Sequence, residues 1–223
     1  MSDNLTPLIE LETGILPTHT ILWMHGLGAD GNDLIPIVRQ INFPSNIHIR
    51  LLFPHAPMRP ITINHGSVLR AWYDIYNLDF DCREDIVGLR SSQLTIEGII
   101  DLEEQRGIPP ENILLAGFSQ GGVMALYAGL RYAKKLAGIV ALSCYLPLAK
   151  KLSIEAHKAN LDIPIFMAHG HNDPMIALTL ATASKKELLD SGYDLEWHEY
   201  PMEHSVCIRE IVDISNWLKR VLI

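Results

Sequence analysis

The stretch Asn112–Tyr132, NILLAGFSQGGVMALYAGLRY, decides how the rest of the chain is read. It opens as an apolar β-type run and closes with apolar residues at helical spacing, and Gly117-Phe118-Ser119-Gln120-Gly121 joins the two in the pattern G-x-S-x-G. A serine on so sharp a strand-to-helix turn takes a strained backbone conformation. Glycines two positions to either side remove the Cβ atoms that would clash where strand and helix converge, and Gly122 leaves room for close packing. The helix that follows aims its first N–H groups and the positive end of its dipole at any negative charge forming beside the serine. Alone, five residues carry little weight; the strand, turn and helix around them supply it.

A serine is a poor nucleophile without a base, and the base needs an orienting acid. On a sheet carrying this turn, the acid precedes the base along the chain. Downstream, the run IPIFMAHG leads into a loop, HGHNDPM, that carries Asp173, and LEWHEYP leads into MEHSV, which carries His204. Both residues fall just past a strand's carboxyl end, as Ser119 does. His198 lies inside a strand and His157 in a polar helical segment, so neither is well placed, while His25, His169 and His171 sit at strand ends and read as loop-shaping residues. Asp190 and Asp194 flank a turn, and Asp213 lies inside the last helix.

Short apolar runs recur at Thr20–His25, Ile47–Phe53, Asn112–Gly117, Gly138–Ser143, Ile163–His169 and Asp194–Tyr200, with a weaker one at Leu8–Leu11. Most are continuous rather than alternating, as strands covered on both faces should be. Helical patterns fall between them, over Asn32–Gln40, about Glu84–Arg106, Gln120–Tyr132, Thr179–Ser191 and Ser205–Leu222. The expected fold class is therefore α/β, a mostly parallel central sheet with helices on both faces. The stretch Pro54–Asp81 shows no regular pattern and is too long to be an idle connection, so it is expected to cover the site.

With 223 residues, 48% hydrophobic and 20% charged, and with neither repeat nor low-complexity linker, the chain is expected to form one domain, 1–223. A formal net charge of −8 with scattered Lys and Arg argues against a nucleic-acid partner. No signal-peptide pattern and no apolar run of membrane-spanning length stands in the sequence, so stable membrane insertion is not expected and a cytoplasmic location is. Cys82, Cys144 and Cys207 are widely spaced and odd in number, which reads as reduced thiols.

A second glycine cluster, Gly26, Gly28 and Gly31 in MHGLGADG, has the spacing G-x-G-x-x-G after a strand and before a helix, the setting of a dinucleotide-binding loop. That reading requires an acid at the end of the next strand to hold ribose hydroxyls, yet IHIRLLFPHAP ends in Phe53-Pro54-His55. The same loop instead suits a hydrolase that needs backbone N–H donors for an oxyanion, one from Gln120 after the serine and one from Leu27, flanked by Gly26 and Gly28.

The segments MHGLGADG, FPHAPMRPITIN, AWYDI, GFSQGGVMAL, AHGHNDPMI and EHSVCIREI follow one another in unbroken order from about Thr20 to the C-terminus. Together they resemble the acyl-protein thioesterase and small bacterial carboxylesterase family, also called the phospholipase/carboxylesterase family. The resemblance implies an α/β-hydrolase fold without a large cap domain, with Ser119 as nucleophile, Asp173 as orienting acid, His204 as general base and Leu27 as an oxyanion donor. It implies hydrolysis of small-molecule carboxylic esters of short to medium acyl chain, with thioesters and lysophospholipids as related substrates, and neither metal nor organic cofactor. Residues after Pro54 and after Asp173 should frame the acyl pocket, which makes Trp72, Met175 and Ile176 candidate substrate contacts. One departure stands out, since Ala177 occupies a position where the family usually has proline.

Two other readings remain open on the sequence. His169, His171 and Asp173 form an H-x-H-x-D cluster of metal-ligand types, which would suit a metal-dependent hydrolase, although Pro174 follows rather than a further ligand. A non-catalytic binding module on a hydrolase scaffold is the second.

Overall fold

The computed structural model describes residues 7–77 and 84–223. Cys82, the N-terminal residues 1–6 and the last part of the Pro54–Asp81 stretch lie outside them. In chain order the strands are β1 (Leu8–Glu12), β2 (His19–Met24), β3 (Ile49–Pro54), β4 (Met58–Ile61), β5 (Ser67–Arg70), β6 (Ile113–Phe118), β7 (Gly138–Leu142), β8 (Ile165–Gly170) and β9 (Leu195–Tyr200). The helices are α1 (Gly31–Val38), α2 (Ile86–Gln105), α3 (Gln120–Arg131), α4 (Leu152–Glu155), α5 (Leu178–Asp190) and α6 (Ile208–Val221).

Seven strands form one sheet in the order β1-β3-β2-β6-β7-β8-β9. All pairs are parallel except β1 with β3, an antiparallel edge. The sheet is covered on both faces. Leu22, Met24, Leu115 and Met167 pack on one side against residues of α2, α3 and α5, and Ile21, Trp23, Leu114 and Phe166 pack on the other against α1 and α6. Successive strand residues therefore enter opposite layers of core, which is why these strands read as unbroken apolar runs. Burial of each such side chain contributes about 1.5–3 kcal/mol. Among the described residues no helix is long and apolar enough to cross a membrane.

Helix starts follow capping chemistry more than periodicity. Asp30 accepts from the Asn32 N–H at 2.7 Å while Asp33 accepts from the Asp30 N–H at 2.8 Å, closing a capping box on α1. Asp85 caps α2 through the Gly88 N–H at 2.9 Å. The last helix begins at Ile208, not at Ser205 as the sequence pattern suggests, because Cys207 and Glu210 form the cap there.

The irregular reading of Pro54–Asp81 needs correction. Strands β4 and β5 form an antiparallel hairpin with Met58 opposite Arg70 and Ile61 opposite Ser67, turned through His65 and Gly66 at φ 54° and 79°. Pro60 within a four-residue strand hides it from any pattern search.

The glycines around Ser119 are fixed by close approach. A Cβ on Gly121 would stand 1.9 Å from the Met24 carbonyl oxygen, and one on Gly117 would stand 2.2 Å from the Gly121 carbonyl carbon. Gly98, in α2, would meet nothing within 4 Å. Gly121→Ala is therefore expected to lower the unfolding free energy by about 3 kcal/mol or more, or to abolish soluble expression, since the added methyl overpacks against backbone. Gly98→Ala should stabilise by up to about 1 kcal/mol through helix propensity alone. Urea denaturation of both variants tests the contrast, and equal effects would contradict it.

Candidate active site

Ser119 sits between β6 and α3 at φ 55°, ψ −121°, a left-handed backbone conformation that a residue with a Cβ rarely adopts. Its N–H donates to the Leu142 carbonyl of β7 at 2.8 Å, and its own carbonyl accepts from the Val123 N–H at 3.1 Å, so the turn is tied on both sides. These bonds hold the side chain at the carboxyl edge of the sheet.

The loop after β9 carries His204 to that edge, and its Nε2 lies 2.9 Å from Ser119 Oγ. On its other side, Nδ1 is 2.7 Å from Asp173 Oδ2. A carboxylate only accepts, so Nδ1 carries the proton and Nε2 is free to accept the serine hydroxyl. The Phe118 ring packs 4.8 Å from the imidazole, centroid to centroid, and helps define its plane.

Asp173 stands in the loop after β8 with its side chain fully buried. Its Oδ1 accepts from the Met175 and Ile176 N–H groups at 2.8 and 2.9 Å. A buried carboxylate without such donors would be costly, and here two amides and an imidazole satisfy and orient it. Sequence reasoning placed these three side chains on three separate loops, and the fold brings them into one hydrogen-bonded row.

The first glycine loop passes directly beside the serine, where a Cβ on Gly26 would lie 3.3 Å from that of Ser119. Gly28 takes φ 75°, and Gly31 lies against the Phe53 carbonyl, so close approach and turn geometry account for this spacing. Leu27 lines the cavity in front of Ser119. Gln120 is the first residue of α3, whose N–H has no partner within the helix.

That cavity has a volume of about 490 Å³ and is mostly apolar, dimensions common to small-molecule sites. Met175 and Ile176 line it. Trp72 does not, and that expectation is corrected: its indole is fully buried, donates to the His25 carbonyl at 2.9 Å and lies behind the site. Leu34 and Ile37 of α1, Ile63 after β4, and Tyr73 and Ile75 line the cavity but escaped sequence reading. The α1 pair could have been found, because Leu34 and Ile37 share one face of an amphipathic helix that follows directly on Leu27. Ala177 has φ −58°, the value a proline ring would impose, so the departure from the usual proline leaves the backbone unchanged in kind.

The three side chains of the H-x-H-x-D cluster do not converge on one point. His171 is exposed and pairs with Glu199 at 3.0 Å, whereas His169 and Asp173 are buried with His169 Nε2 3.4 Å from Asp173 Oδ2, His169 donating that N–H to the Ile176 carbonyl at 2.8 Å and Asp173 facing His204. Among the described residues no group of three or more His, Cys, Asp or Glu side chains is arranged to hold a metal ion. Of the thiols, Cys144 is fully buried and burial pushes it far above the ordinary thiol range, while Cys207 serves as the N-cap of α6.

His25 is the loop-shaping residue that the sequence suggested. Its Nδ1–H donates to the Gly26 carbonyl at 2.7 Å and its Nε2 accepts from the Ala56 N–H at 3.0 Å. Burial holds it below its ordinary value of 6.5, and protonation of Nε2 would set two donors face to face. The unfolded chain therefore takes up this proton first on acidification. Its contribution to stability is present above the unfolded value and is lost as pH falls through it toward the depressed folded value. Urea midpoints should fall between about pH 7.5 and about pH 5, and His25→Asn should show a smaller decline. An unchanged slope in that variant would place the titration elsewhere.

Comparison with known proteins gives the same architecture. Residues 12–222 match the family model described as Phospholipase/Carboxylesterase. Acyl-protein thioesterase 1 of Neurospora crassa is 38% identical over 210 residues, covering 90% of this chain and 86% of that protein. The crystal structure of Arabidopsis thaliana SOBER1 superposes with a TM-score of 0.86 at 32% identity, covering 92% of this chain and 99% of its own. Acyl-protein thioesterase 2 of Zea mays shares the fold with a TM-score of 0.86 at 24% identity, covering 97% of this chain and 99% of its own.

Proposed function

The chain belongs to the phospholipase/carboxylesterase family of hydrolases, and on that premise we propose that it hydrolyses carboxylic esters through Ser119, His204 and Asp173. One observation carries this reading. The Ser119–His204–Asp173 row, with spacings of 2.9 and 2.7 Å, opens onto the apolar cavity of about 490 Å³.

In the proposed cycle, His204 Nε2 takes the hydroxyl proton as Ser119 Oγ attacks the substrate carbonyl carbon. The carbonyl oxygen becomes an anion held by the Leu27 and Gln120 N–H groups. His204 then returns its proton to the departing alcohol or thiol as the bond to it breaks, leaving an acyl group on Ser119. Water enters and gives up a proton to His204 as it attacks the acyl carbon, and His204 returns that proton to Ser119 Oγ as the bond from Oγ to the acyl carbon breaks and the acid leaves. Asp173 holds the Nδ1–H tautomer throughout and offsets the charge of the imidazolium.

The apolar lining supports acyl groups of short to medium length, carried as small-molecule esters. Thioesters fit the same chemistry, and so do lysophospholipids, because the acyl carbonyl is attacked in each. The name of the Neurospora crassa relative, an acyl-protein thioesterase, supports the thioester reading.

Ser119→Ala is expected to lower hydrolysis of an activated short-chain ester by about four orders of magnitude or more while the circular dichroism and unfolding midpoint stay near wild type. A panel of esters and thioesters of graded acyl length, run on wild type and variant together, then ranks the substrate classes. Stoichiometric labelling of Ser119 by a fluorophosphonate with chelator-resistant turnover separates this reading from a metal-dependent one. Retained turnover in the variant would sink the proposal.

A further inference from the structure

We propose that Trp72 is a positioning residue that locks the two arms of the oxyanion hole into one frame. The inference rests on the oxyanion-hole reading above and adds to it a residue that touches no substrate.

Every polar group of Trp72 is engaged, and each with a different part of the molecule. Its backbone N–H donates to Gln120 Oε1 at 2.8 Å, its indole N–H donates to the His25 carbonyl at 2.9 Å, and its carbonyl accepts from Ser92 Oγ in α2. The indole is fully buried and lies against the His25 ring, centroids 5.5 Å apart. Gln120 completes the clamp, since its Nε2 donates to the Tyr73 carbonyl at 2.7 Å. The Gln120 side chain, also buried, thus uses both ends of its carboxamide on the Trp72-Tyr73 backbone.

The bonds on the His25 side reach the second arm through one peptide plane. The Gly26 carbonyl and the Leu27 N–H belong to the same peptide unit, and the described chain has no cis peptide. In a planar trans unit the carbonyl and the N–H point in opposite directions. The 2.7 Å bond from His25 Nδ1–H to the Gly26 carbonyl therefore turns the Leu27 N–H away from His25. It also polarises that N–H, because hydrogen bonds in a chain strengthen one another. His25 can do this only if its own backbone is held, and the Trp72 indole holds it through the adjoining carbonyl.

The two arms come from distant parts of the sequence, the loop after β2 and the start of α3. Trp72 bonds both, through the Gln120 side chain and the His25 carbonyl. Loss of the indole N–H would leave the Leu27 peptide free to shift relative to the Gln120 N–H. Oxyanion stabilisation depends on donors being fixed before charge develops, so the loss should fall on the chemical step rather than on ground-state binding.

Trp72→Phe keeps an aromatic ring in the core while removing the donor together with part of the indole's volume. On a short-chain activated ester, kcat is expected to fall about 10- to 100-fold with KM within about twofold of wild type. Affinity for a trifluoromethyl ketone, whose adduct with Ser119 carries an oxyanion, should fall by the same factor. Gln120→Leu, which keeps the backbone N–H but cuts the clamp from the other side, should give the same kcat-selective loss and serves if Trp72→Phe fails to fold. A folded variant with kcat within twofold of wild type overturns the proposal. So does a rise in KM at constant kcat, which would mark Trp72 as acting through the pocket. Ser119→Ala run alongside separates the two levels: full activity there fails the serine mechanism itself, whereas a dead Ser119→Ala beside an active Trp72→Phe fails only the positioning role.

Discussion

A serine backbone at φ 55°, ψ −121° persists only where its surroundings leave no cheaper alternative, and the rest of this site depends on that constraint. Strand β6 and helix α3 converge on Ser119 so tightly that neither Gly117 nor Gly121 has room for a Cβ. Relaxation of the turn would have to move Gly121 against Met24 of β2, or break the bond from the Ser119 N–H to Leu142 of β7. Both neighbours are central strands with core on each face, so the strain is held by the most buried part of the molecule. The same geometry exposes the serine hydroxyl and the first N–H of α3 on one side.

The sheet and its layers were legible in the sequence because doubly covered strands read as apolar runs and helices between them read as periodic ones. Element ends were less so. Cys207 caps α6 through a sulfur acceptor and Glu210, a pairing that apolar periodicity cannot register, and α4 has only four residues, too few to show a period. The hairpin of β4 and β5 stayed hidden for a different reason. Met58, Pro60 and Val68 are exposed, and on the inward side only Ile61 is fully buried, with Arg59 and Leu69 half-buried, so four-residue strands with an arginine on the inner face leave too short an alternation to register.

That Ser119, Asp173 and His204 stand at neighbouring strand ends was legible, because a G-x-S-x-G turn and the order of strand ends constrain where they fall. Trp72 was misread, since position in sequence says that a residue is near the site but not which way its side chain points. A tryptophan behind a site and one lining it have the same neighbours in the chain. The H-x-H-x-D cluster misleads for a related reason: residues two apart share a face only within a strand, and β8 ends at Gly170, so His169 stays in the core while His171, past the strand end, turns to solvent.

Electrostatics at the site follow from how the sheet distributes its loops. Gly117 of β6 lies beside Met24 of β2, Phe118 beside Leu142 of β7, and Gly170 of β8 beside Tyr200 of β9, so these strands end along one edge. Leu27 follows β2, Ser119 follows β6, Asp173 follows β8 and His204 follows β9. Strand β7 contributes no side chain to the row, yet its Leu142 carbonyl anchors the Ser119 N–H and the following Ser143 N–H bonds Ala168 of β8. Each strand from β2 to β9 in this part of the sheet thus either presents a group or fixes the spacing between two that do. The distances of 2.9 and 2.7 Å along the serine, histidine and aspartate are in this sense a property of sheet register. A shift of one residue in any of these ladders would carry every side chain of a strand from one core layer into the other and break the packing of both, which costs far more than any loop rearrangement could recover, and the register that protects the core also holds the site in place.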